Sequence, residues 1–274
     1  MEIRKLTPLV VVAAIATLVS LGGGVRTVLA VTDCTFTIAV TTMNLVGDCT
    51  TDATILVDNG FTLDGAGHTI TAHDPISGHF IGAVVKNEGP FAVVKNLTID
   101  TNFLANVCDA GDDRLRGILF DGASGIIKGN TVLNINQGAS GCQEGNGIEV
   151  RSAPFEAGGS DVLVWISGNT VTNYQKTGIV VNGSLAATVI GNVITGVGPV
   201  DYIAQNGIQI GFGGTAIVQE NQVSGNDYTP HDTISCGLLM FDTDGVRASQ
   251  NHYANNERNM CVFGRGGGQF NPEP

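Results

Sequence analysis

The chain has 274 residues, 43% of them hydrophobic and 14% charged, with 38 glycines and a formal net charge of −12. So much apolar material excludes a disordered chain, and the negative charge opposes both nucleic acid and an anionic membrane surface. Abundant Gly, Val, Ile, Thr and Asn, with few runs of Glu, Lys, Ala and Leu, favour strands and turns and predict an all-β protein.

Residues 1–30 read as a secretory signal peptide. Arg4 and Lys5 form a basic start, Leu9 to Leu21 an apolar stretch and Val28-Leu29-Ala30 a small-residue cleavage site. Thirteen apolar residues are too few for a membrane span, which needs about 20. Cleavage would leave 10 Lys+Arg against 24 Asp+Glu, a charge of −14. A secreted, extracellular or periplasmic location is therefore expected, with no membrane span after cleavage. The six cysteines all follow the cleavage point. In an exported chain they predict disulfides, and sequence order suggests Cys34 with Cys49, Cys108 with Cys142 and Cys236 with Cys261. Structural zinc is disfavoured because no C-x-x-C spacing occurs.

The strongest signal is internal repetition. Gly117-Ile-Leu-Phe-Asp, Gly147-Ile-Glu-Val-Arg, Gly178-Ile-Val-Val-Asn, Gly207-Ile-Gln-Ile-Gly and Gly237-Leu-Leu-Met-Phe start 30, 31, 29 and 30 residues apart. A second pattern places Asn130, Asn169, Asn192, Asn221 and Asn251 once per unit. Such a unit holds three short strands joined by turns, each pairing in parallel with its copy in the next coil. Apolar columns inside, an asparagine ladder in one turn and about eight rungs follow, with glycine supplying the turn geometries.

These repeats, with Phe61-Thr-Leu-Asp-Gly-Ala-Gly-His-Thr-Ile70, resemble the secreted right-handed parallel β-helix proteins of the pectate-lyase-like superfamily. The resemblance covers about residues 34 to 264. It implies a single-stranded right-handed parallel β-helix over 31–264, followed by a flexible C-terminal tail over 265–274. Fold does not fix activity here, since the superfamily spans lyases, hydrolases, epimerases, esterases, tailspikes and adhesins. In that family the first sheet and the loops entering it commonly form a polysaccharide cleft.

Strand alternation locates the candidate chemistry. With Ile148 and Val150 inward, Glu149 and Arg151 point outward beside Asp121, Asn182 and Gln209. Asp121, Glu149 and Arg151 form a candidate acid-base cluster, with Asn182, Gln209 and Arg116 as substrate contacts. Asp109, Asp112 and Asp113 offer hard oxygens for calcium, against the plainer reading of a solvated acidic loop. Tyr228-Thr-Pro-His-Asp232 faintly resembles the Asp-Pro-His-Glu/Asp motif of alginate C5-epimerases, which makes Tyr228 and His231 a further catalytic pair. Trp165, the single tryptophan, offers a sugar platform, against the favoured reading of packing on a strand within Val162-Leu-Val-Trp-Ile166. Only Asp112-Asp113 matches the motif set of polygalacturonase-type hydrolases. The expected partner is a polysaccharide, bound or processed by a lyase- or epimerase-like monomer. The alternative is a non-catalytic extracellular solenoid for binding or adhesion.

Overall fold

The computed structural model describes residues 32–155, 161–264 and 269–270, so the signal-peptide region and most of the tail lie outside the described residues. Three sheets, two of eight strands and one of ten, run the length of the molecule. Along each coil the chain visits a first sheet, then the ten-stranded second, then a third. Ile55–Val57, Phe61–Asp64 and Thr69–Ala72 make the first complete coil, and Cys236–Phe241, Gly245–Ser249 and His252–Ala254 the last of seven. A partial coil stands at each end. At the later one Gln269–Phe270 pairs with Arg247–Ala248, so the second sheet continues beyond residue 264. Among the described residues no helix is long and apolar enough to cross a membrane.

The inward columns are the apolar positions of the repeat. Ile118, Ile148, Ile179, Ile208 and Leu238 stack in register, each fully buried, and face Val132, Val171, Ile194 and Val223 of the third sheet. Each such burial contributes about 1.5–3 kcal/mol. The glycine that opens each repeat is a strand residue rather than a turn residue. At Gly178 an added Cβ would lie 2.4 Å from Ile194 Cγ2 and 2.7 Å from the Gly207 carbonyl oxygen. The interior at that strand position is too tight for any side chain.

The asparagine ladder forms at the turn between the second and third sheets. Asn130, Asn169, Asn192 and Asn221 each donate through Nδ2 to the Oδ1 of the next asparagine at 2.9–3.0 Å, ending on Asn251. Each backbone N–H donates to that same Oδ1. The second Nδ2 hydrogen reaches an inner carbonyl, such as that of Ile166 from Asn192. The amides of Asn130, Asn169, Asn192 and Asn221 are thereby satisfied, which removes the penalty of an unpaired polar group at these positions.

All three suggested disulfides are present: Cys34–Cys49, Cys108–Cys142 and Cys236–Cys261. The first ties down a hairpin, Phe36–Ala39 with Thr42–Leu45, whose antiparallel outer strand covers the beginning of the second sheet.

Candidate functional site

The outward register of the first sheet is as expected, with Asp121 beside Arg151, Arg151 beside Asn182, and Glu149 beside Val180. The turns fold over half of that face. Leu119, Glu149 and Val180 are buried, Lys86, Asp121, Arg151, Asn182 and Gln209 form a half-buried polar strip, and Leu56, Phe241 and Phe263 are exposed toward its two ends. On this strip Gln209 Nε2 donates to Asn182 Oδ1 at 3.1 Å.

Glu149 and Arg116 are not surface groups. Arg116 is 2% exposed, and its Nε donates to Glu149 Oε2 at 2.7 Å. Its other nitrogens donate to the carbonyls of Gly111, Asp112 and Arg114. Asn146 Nδ2 donates to the same Glu149 oxygen at 2.8 Å. The expectation that Arg116 contacts substrate is therefore corrected: its fork is spent on one carboxylate and three carbonyls. Glu149 lies enclosed by Arg116, Asn146 and, at 3.9 Å, Arg151 Nη1.

Arg151 Nη2 donates to Asp121 Oδ2 at 2.8 Å and also to Asp112. Burial works against the Arg151 charge, but the Asp121 and Asp112 carboxylates outweigh it and hold the guanidinium above its ordinary pKa. The hydrogen bond and charge of Arg151 in turn hold the Asp112 carboxyl below the usual range. Lys86, Arg116 and Arg151 face Asp112, Asp121 and Glu149 in a closed network of three cations and three anions. In this network each of the three carboxylates lies against a cation.

The three aspartates suggested for calcium separate. Asp109 Oδ2 lies 2.8 Å from His79 Nε2, Asp112 faces Arg151, and Asp113 is exposed on the one-turn 3-10 helix Gly111–Asp113. Glu144, which sequence reasoning missed, anchors this loop: it is fully buried and accepts from the backbone N–H of Asp109 at 2.8 Å and of Leu115 at 2.7 Å. Its position two residues after Cys142, the partner of Cys108, is the one signal for it in the sequence.

Tyr228 and His231 lie in the turn before the strand Cys236–Phe241, which carries Leu239. Glu149 is three coils from Leu239 along the register, about 14 Å at the usual strand spacing. Tyr228 lines a hollow of about 350 Å³ with Tyr202, Lys176 and Asn206. Desolvation and the nearby Asp232 and Asp201 carboxylates push the Tyr228 phenol up. Burial lowers the Lys176 amine to about 8, and its Nζ donates to the Ala204 carbonyl at 2.8 Å.

The larger of these two concavities lies on the second sheet, around Trp165. Trp165 is 48% exposed there, so it is not core packing: Val164 and Ile166 point inward while Leu163 and Trp165 point out. The groove, about 750 Å³, is floored by Ala186, Thr215 and Gly245, which leave the sheet on the same side as Leu163, and bordered by Thr188, Ile217, Asp244 and Arg247. Register places Trp165, Thr188, Ile217 and Arg247 in one row across four coils.

Coil order, parallel register and the polar outer faces define a single-stranded parallel β-helix. The chain belongs to the family described as right handed beta helix region, which matches residues 116–271. No curated protein and no solved structure matches the chain.

Proposed function

We propose that this β-helix binds a polysaccharide without processing it, and that the Trp165 groove of the second sheet is the binding surface. The observation that carries the reading is the half-exposed indole standing over a floor of alanine, threonine and glycine. A flat ring stacks on the apolar C–H face of a pyranose, while Thr188, Asp244 and Arg247 offer hydrogen-bond partners for its hydroxyls. The small floor residues leave room for the sugar to approach the sheet. Asp244 and Arg247 cancel in charge, and the chain carries −12 overall, so a neutral polymer is favoured over a uronate-rich one. The closed ion network of the first sheet supports binding rather than catalysis. Disulfides and an N-terminal apolar stretch suit an exported protein that meets such polymers outside the cell.

The chain has one tryptophan, so its fluorescence reports on this groove alone. Titration with a panel of neutral and uronate-containing polysaccharides should quench or shift that emission with at least one neutral member. Trp165→Ala should weaken binding of the same polymer about tenfold or more in affinity electrophoresis. Unchanged emission across the whole panel would overturn the proposal, as would full binding by the variant.

A further inference from the structure

We propose that Asp227, His231 and Glu257 form a binding site for a borderline divalent cation of the zinc type, at the turns entering the last two strands of the first sheet. Ligating atoms of the three residues lie within 4.8 Å of one another. His231 Nδ1 and Glu257 Oε1 are 3.2 Å apart. A zinc ion about 2.0–2.1 Å from each ligand sets tetrahedral ligands about 3.3–3.4 Å from one another, so this pair already spans the required edge.

A second observation comes from neighbouring buried oxygens. Asp227 Oδ1 is buried and has no hydrogen-bond partner. Ser235, fully buried, also has a hydroxyl without a partner, and its backbone N–H donates to Glu257 Oε2 at 2.9 Å. Unpaired buried oxygens are costly and rare in folded proteins. A cation held by Asp227 would remove the cost at that oxygen. The other groups of the site are already fixed: the Asp227 carbonyl accepts from the Val200 N–H, and the Glu257 N–H donates to the Asn226 carbonyl. The ligands therefore stand on turns held by backbone hydrogen bonds.

The donor set selects the metal. One imidazole nitrogen and two carboxylates suit zinc or a similar first-row ion, whereas calcium takes six to eight oxygens. Three protein ligands leave a fourth position for water or a bound ligand, and the exposed His231 leaves that side open. The site is independent of the Trp165 groove, which lies on another sheet.

The test uses tag-free protein and zinc chloride alone, followed by calorimetry and by metal analysis after gel filtration. One zinc per chain is expected, with affinity reduced about tenfold or more in His231→Ala and in Glu257→Gln, which keeps an acceptor for the Ser235 N–H. His252→Ala, a histidine on the third sheet, should bind as the parent does. Cobalt(II) should give a visible ligand-field band in the parent and lose it in His231→Ala. Zinc uptake no greater than that of His231→Ala, or tighter binding of calcium than of zinc, would overturn the assignment; a bridging water at the site would give the first of these outcomes.

Discussion

Arg116→Ala should destabilise the protein by about 3–5 kcal/mol, because it strands a buried carboxylate rather than trimming a surface cation. Four hydrogen bonds disappear at once, to Glu149 and to the carbonyls of Gly111, Asp112 and Arg114. Glu149 keeps the Asn146 amide and the more distant Arg151. Arg116→Lys should recover little, since a single ammonium cannot reach one carboxylate and three carbonyls in the same fork. Combining Arg116→Met with Glu149→Leu should recover part of the loss by removing the orphaned charge. Denaturant midpoints measure all three. A shift below about 1 kcal/mol in Arg116→Ala, typical of exposed pairs, would contradict the buried network.

Asn192→Asp should be at least as damaging, although it changes one NH₂ to an oxygen. Asn192 Nδ2 donates to Asn221 Oδ1 at 2.9 Å and to the Ile166 and Ile190 carbonyls. An introduced carboxylate would place an acceptor against these acceptors and bury a charge at a position with no exposed surface. The cost is about 3 kcal/mol or more. Burial raises the folded-state pKa of the new carboxyl above its unfolded value near 3.9, so the ionisation penalty is full above the raised value and gone below the unfolded one. The variant should regain stability relative to the parent as pH falls through that window. A pH-independent difference in melting temperature between the two would show that ladder burial is not the cause.

Much of this architecture is legible in the sequence because a solenoid writes its geometry as a period. The five opening glycines and the ladder asparagines mark the coils, and alternation around Ile148 and Val150 separates inside from outside. The site was less legible, for a physical reason: alternation says which side of a strand a residue leaves, not what folds over it. Glu149 leaves the expected side and is then enclosed by Arg116, itself bound to the carbonyls of the preceding turn. At Trp165 the alternation was present but masked, since both faces of Val162-Leu-Val-Trp-Ile166 are apolar. Asp227 and Glu257 are thirty residues apart, one coil, so the period itself brings them together; the sequence reading weighed the turn holding His231 without its neighbour in the next coil.

The placement of the disulfides has a consequence for how the molecule comes apart. In a stack whose units touch only the unit before and the unit after, interior coils are held from both sides and terminal coils from one, so melting starts as fraying from the ends. Cys34–Cys49 and Cys236–Cys261 fasten those two weak positions, while Cys108–Cys142 joins turns in the interior. With both ends clamped, local opening has no cheap starting point and the coils must separate together. Reduction should thus broaden the thermal transition as well as lower it, turning one cooperative melt into progressive unzipping.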